Sequence, residues 1–260
     1  MLLKDKVVIV TGVGPGMGRS LALLAADEGA KVAVSARSEG FIREVVQEIE
    51  AKGGHAIAVS TDVADDAQCD RLAAATLEAF GRIDGLVNSA YRHNAFIAFE
   101  DSELAEWQAN MNVTHFGALR MIKSVLPAMK RQQSGAIVNV STRSSVRVVP
   151  GHGDYGTAKA AMNAATRQLA TEFGKYGIRV NATRMGWMWG APVEGALKQR
   201  AAARGITLEQ MIAEVSAPIP IGRIPTDLEC ARAVVFLLSD YSSAITGAML
   251  DVNGGEFMPL

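Results

Sequence analysis

Cysteine is nearly absent: 260 residues hold two, Cys69 and Cys230. Neither has a second Cys or a His close by, which excludes a disulfide framework and a zinc site, so no metal is expected. Both read as small buried apolar side chains of a reducing compartment. An excess of either charge is also missing, since 26 Lys and Arg face 27 Asp and Glu, for a formal net charge of -1. Without a basic stripe or a block of like charges, the chain has no footprint for nucleic acid and no solvating tail. Long hydrophobic runs are absent too. The N-terminal MLLKDKVVIVTG meets Lys4, Asp5 and Lys6 before a short apolar run. That run is too short for a signal-peptide core or a bilayer span. A cytoplasmic chain without a membrane partner is expected, and no linker, repeat or low-complexity stretch interrupts it.

What the chain does have is apolar residues, 49% of the total, enough for one large core rather than two small ones. Strand-like and helix-like segments alternate from end to end. VVIV (7–10) is a continuous β-branched run, as expected of a strand buried on both faces of a parallel sheet. Helical spacing runs from Met17 to Glu28, with Gly29 as a stop. Further strands are read at VAV (32–34), AIAVS (56–60), GLVNSA (85–90), AIVNVS (136–141), IRVNA (178–182) and MLDV (249–252). Between them lie a helical stripe of Phe41, Val45, Val46 and Ile49 and a helix to Phe80 capped by Asp65 with Gln68. Later helices are read over roughly 110–131, 155–176 and 228–238. The alternation predicts one α/β domain over residues 1–260, a doubly wound parallel sheet with helices on both faces.

TGVGPGMGRS (11–20) follows the first strand and opens the first helix. Gly12, Gly16 and Gly18 are spaced for a tight turn that lets the backbone approach a pyrophosphate at the helix N-terminus. The strand–turn–helix context makes this a Rossmann-type dinucleotide site. The second strand ends VAVSARS (32–38) without the acid that would hold the ribose hydroxyls of NAD. Arg37 and Ser38 stand there instead, and a guanidinium beside a hydroxyl suits a 2′-phosphate. NADP is therefore favoured, with NAD possible and a solvated loop arginine as the bland alternative.

DYGTAKAAM (154–162) sets Tyr155 and Lys159 four residues apart, on one helix face, with only small residues between. A lysine cation beside a phenol favours the phenolate and would lower a pKa that is ordinarily about 10. That would let Tyr155 exchange protons near neutral pH.

In combination and order, TGxxxGxG, the Asn-bearing NSAY (88–91) and YxxxK resemble the short-chain dehydrogenases/reductases, from TGVGPGMG (11–18) to TGAMLDVNGG (246–255). The resemblance implies a hydride-transferring oxidoreductase acting on a carbonyl or secondary alcohol. Gly12, Gly14, Gly16, Met17 and Gly18 would line the pyrophosphate. Asp62 and Val63 would hold the adenine, and Asn88 and Ala90 the segment beside its ribose. Tyr155 would be the acid/base and Lys159 its partner, bonding the nicotinamide ribose as well. Asn112 would anchor a water reaching Lys159, and Gly186 and Met188 would meet the nicotinamide end. The resemblance also implies a homo-oligomer, a tetramer, packing through the 110–131 and 155–176 helices.

Three departures stand out. Tyr91 replaces a glycine, and Met185-Gly186 replaces a Pro-Gly. The family serine, thirteen residues before the tyrosine, is here Thr142, with Ser141 and Ser144 as rivals for the carbonyl-polarising hydroxyl. Tyr91, Arg92, His93, His152, Trp187, Met188 and Trp189 would line the substrate pocket. The segment 187–218, helix-like over 193–215, would be its lid. The aromatic lining suggests a bulky apolar or cyclic small-molecule substrate, although Trp187 and Trp189 equally suit a subunit interface. Two other readings stay open: a non-catalytic dinucleotide sensor or scaffold, and an enoyl reductase, which tends to separate its Tyr and Lys more widely.

Overall fold

The VVIV run pairs along both of its edges. In the computed structural model, which describes residues 1–92 and 96–259, β1 (Val7–Thr11) lies between β2 (Lys31–Ala36) and β4 (Gly85–Asn88). Val8 faces Val32 on one side and Gly85 on the other. β3 (His55–Ser60) flanks β2, while β5 (Gly135–Thr142), β6 (Ile178–Met185) and β7 (Met249–Val252) extend the other side. The order is β3-β2-β1-β4-β5-β6-β7, and every pairing is parallel. Strand order reverses between β1 and β4, which opens a crevice beyond their C-terminal ends.

Among the described residues the helices are α1 (Met17–Asp27), α2 (Glu39–Ala51), α3 (Asp66–Phe80), α4 (Leu104–Met111) and α5 (Gly117–Gln132). They continue as α6 (Gly153–Phe173), α7 (Ala191–Arg204), α8 (Leu208–Ser216) and α9 (Asp227–Leu238). Side chains alternate across each strand, so Val8 and Ile9 serve different cores. One face buries Val8, Val10 and Val138 against Leu21, Ile42, Val45 and Val234 from α1, α2 and α9. The other buries Ile9, Leu86, Ile137 and Val180 against Leu72, Met121, Val125 and Phe173 from α3, α5 and α6. Each such large apolar side chain contributes roughly 1.5–3 kcal/mol of transfer free energy. Among the described residues no helix is long and apolar enough to cross a membrane.

The Asp65 carboxylate caps α3, accepting the Gln68 backbone N–H at 3.0 Å. Other boundaries move. β4 stops at Asn88, short of the expected 85–90, because the backbone of Ala90 passes directly over Gly12. A side chain at Gly12, whose φ is +71°, would overlap Ala90 N and Cα. The helix expected over 110–131 is composite: α4, one π-helical turn at Asn112–Phe116, then α5. At the junction Gly117 lets Val63 close in, since a Cβ there would lie 2.7 Å from its Cγ2. Within 187–218 the chain forms two helices around a small core of its own, Leu197, Ala201 and Met211, with Trp187 and Trp189 packed on it.

Candidate active site

The glycines after β1 close the turn on itself. A Cβ at Gly18 would stand 2.5 Å from the Gly12 carbonyl oxygen, so α1 can start this tightly only with glycine there. Gly14 faces open space, and α1 begins at Met17 with Gly16 as an N-cap that offers no side-chain bond. The helix N-terminus therefore opens onto the crevice without a capping side chain, a cradle that fits a dinucleotide pyrophosphate. Pro192 and Asp227 roof it: their Cγ and Oδ2 would lie 3.3 and 3.5 Å from a Gly16 Cβ. Burial pushes the Asp227 carboxyl up to about 6.

Tyr155 and Lys159 share a face of α6, as their spacing predicts, but the expected electrostatics do not follow. The Lys159 side chain is buried, and its Nζ donates to the Val140 carbonyl at 2.5 Å, 5.8 Å from the Tyr155 ring centroid. Burial lowers this lysine to about 7, so at neutral pH it supplies only part of a positive charge. The Tyr155 phenol, expected to be lowered, is instead raised well above its ordinary value. Burial is the largest cause and Tyr91 adds to it, while the nearby Thr142 hydroxyl works in the opposite direction.

Thr142 closes β5. Its Oγ1 accepts the Ser144 backbone N–H at 3.2 Å and lies 3.5 Å from both the Ser144 hydroxyl and the Met185 carbonyl oxygen. The rival Ser141 is buried on the preceding residue of the strand, and its Oγ has no hydrogen-bond partner among the described residues. Successive strand residues point to opposite faces, and it is Thr142 that reaches Tyr155.

Aromatic rings wall the pair. Tyr91 meets Tyr155 at 5.8 Å between centroids, and His152 meets it at 4.8 Å. Phe96 stacks on His152 at 4.4 Å. The Arg200 guanidinium of α7 sits over both the Phe96 and Trp187 rings, at 5.7 and 5.6 Å, and ties the 187–218 segment down over this wall. Trp189 faces Thr226 through an isolated bridge and packs in the small core rather than on Tyr155. His93 lies outside the described residues.

The other sites expected from the sequence are spread along the crevice. Arg37 and Ser38 are exposed at the end of β2, and Ser38 N-caps α2 without a side-chain bond. Asp62 Oδ1 accepts the Ala64 N–H at 2.9 Å, and Val63 is buried. Asn88 is buried, its amide donating to Asn139 Oδ1 at 2.9 Å. Asn112 opens the π-helical turn, where its carbonyl accepts from Arg120 at 3.2 Å. Gly186 lies against Asn253 and Glu256, and Met188 packs on the α1 side of the sheet. Four residues near the site were not singled out from the sequence: Arg143, Arg200, Asp227 and Glu256. Arg143 follows Thr142 directly, and the other three reach the site through long-range contacts that no local motif announces.

This chain is matched over residues 12–256 by the family model described as enoyl-(acyl carrier protein) reductase. A levodione reductase of Leifsonia aquatica is 33% identical over 254 residues, covering 97% of this chain and 94% of its own. A 2,5-dichloro-2,5-cyclohexadiene-1,4-diol dehydrogenase of Sphingobium indicum is 36% identical over 254 residues, 97% of each. The crystal structure of a levodione reductase aligns with a TM-score of 0.89 at 32% identity, covering 97% of this chain and 98% of that one.

Proposed function

Since the chain belongs to the short-chain dehydrogenase/reductase family, and is therefore a nicotinamide-dependent oxidoreductase, we propose that it interconverts a bulky apolar or cyclic ketone and its secondary alcohol. The observation that carries this reading is Tyr155 enclosed by the Tyr91 and His152 rings, with Lys159 one turn along the same helix and Thr142 close enough to act on its phenol. Two similar enzymes whose names contain a dione and a cyclohexadienediol support the cyclic class.

When bound, the nicotinamide supplies or accepts hydride. Thr142 and Tyr155 each donate a hydrogen bond to the carbonyl oxygen and stabilise the negative charge that develops there. Tyr155 gives its proton to that oxygen. A phenol held above its ordinary value is fully protonated at neutral pH, so the proton is in place for reduction. Lys159 stabilises the phenolate that remains, and Tyr91, His152 and Trp187 exclude water. Oxidation runs the same path in reverse and starts from the phenolate, which burial opposes.

NADP is the favoured cofactor, because Arg37 and Ser38 stand exposed where a 2′-phosphate would lie. A homo-oligomer packing through α5 and α6 fits exposed Phe116 and Leu104 on the adjoining turn and helix. The family model's description keeps an enoyl reductase as the second reading, which would place a carbon–carbon double bond at the same site. A panel of cyclic ketones and enones, run with NADPH and NADH, separates the readings. Ketone reduction is expected, and turnover of enones alone would overturn it.

A further inference from the structure

The three residues after Thr142, Arg143–Ser145, form one tight 3-10 turn. Its inner side is pinned to α6. The Ser145 hydroxyl donates to the Thr142 carbonyl at 2.6 Å, and Asn163 donates to Ser145 at 2.8 Å. The Ser144 carbonyl would lie 2.8 Å from a Cβ at Gly156. Its outer side is pinned by one contact, the ion pair between the Arg143 guanidinium and Glu256, from the tail beyond β7. Both side chains are withdrawn from water, with exposures of 15% and 3%.

A buried pair of this kind is a weak source of stability, because desolvating two charges costs about as much as their attraction returns. The arrangement around Glu256 is dearer still. Its Oε2 is buried with no hydrogen-bond partner among the described residues and would stand 3.1 Å from a Cβ at Gly186. A second cation, Arg147, lies 3.9 Å from Oε1. The carboxylate is thus wedged between the turn after β5 and the turn after β6. A group so costly to bury is better explained by the geometry it imposes than by the stability it adds.

We propose that Glu256 is a positioning residue: through Arg143 it fixes the turn after β5 so that Thr142, and neither Ser141 nor Ser144, presents its hydroxyl to Tyr155. It touches no reacting atom. The inference rests on the proposed role of Thr142.

A double-mutant cycle in ketone reduction tests it, using wild type, Thr142→Val, Glu256→Ala and the double variant, with cofactor affinity measured separately by fluorescence titration. Thr142→Val should lose roughly 10²–10³-fold in kcat, the scale of one oxyanion donor. Glu256→Ala should lose roughly 10- to 100-fold in kcat through misplacement, with KM and cofactor affinity unchanged. Glu256→Gln, whose amide oxygen still accepts from Arg143, should recover most of that. The double variant should be no slower than Thr142→Val alone. Losses that multiply would overturn the positioning role while leaving Thr142 in place. A near-normal Thr142→Val would overturn the role of Thr142 itself. If Glu256→Ala does not fold, the paired Arg143→Met, Glu256→Met variant removes both charges at once, and an unchanged kcat in it equally overturns the proposal.

Discussion

Tyr91 meets Tyr155 edge to face, with centroids 5.8 Å apart and ring planes at 61°. The Lys159 Nζ lies 5.9 Å from the Tyr91 centroid and 5.8 Å from that of Tyr155, so one ammonium is flanked by both rings. Tyr91 also helps to raise the Tyr155 phenol and is itself raised, by burial first and then by the Asp227 charge at the cradle roof. It touches Tyr155 and feels the Asp227 charge, at the position where the family resemblance implies a glycine.

Replacing Tyr91 by glycine should therefore tighten cofactor binding, because the ring no longer competes for that space. It should also shift the pH dependence of alcohol oxidation to lower pH, because one contribution raising Tyr155 is gone. Tyr91→Phe should shift the pH dependence without the gain in affinity. Fluorescence titration and kcat/KM profiles separate the two effects. Weaker cofactor binding in Tyr91→Gly would count against the crowding.

Cofactor choice turns on the end of β2. Arg37→Ala should weaken NADPH binding by the equivalent of about 1.5–3 kcal/mol, the value of charge-assisted bonds to a phosphate, and leave NADH nearly unchanged. Side-by-side titrations decide it. Equal weakening would make Arg37 a surface residue.

Much of this architecture was legible in the chain because burial on both faces leaves a period of its own. The run at 7–10, buried along its whole length, read as a strand, and Asp65 with Gln68 announced its helix. α4 was missed because it is only eight residues long and mostly exposed, so its apolar positions mark no buried core. The break between α7 and α8 carried a capping box, Thr207 with Gln210, that the weak helical texture of 193–215 concealed. The spacing of Tyr155 and Lys159 was readable, but the cost of burying them was not. That cost depends on β5 and the Tyr91 ring packing beside them, which reverses the expected shift of the phenol.

The buried lysine should also be visible in stability. Lys159 titrates at about 7 in the folded chain and at about 10.4 once unfolded. Between those values the unfolded chain holds the extra proton, so stability rises with pH from about 7 to 10. Below pH 7 both forms are protonated and the full penalty applies. Tyr155, raised on folding, opposes this only above about 10, where an unfolded phenol ionises. Urea midpoints at pH 7 and pH 9 should therefore diverge in the wild type and converge in Lys159→Met. Parallel behaviour of the two proteins would mean that the lysine is not buried as described.

The central claim is that the Tyr155 hydroxyl delivers the proton to the carbonyl oxygen, and its most direct test is single-turnover reduction of a cyclic ketone by Tyr155→Phe with cofactor prebound. The ring still packs against Tyr91 and His152, so folding and cofactor affinity should be unchanged while the rate falls by about 10²–10⁴-fold, the range of general acid–base catalysis. A rate near that of the wild type across the pH range would show that another group carries the proton.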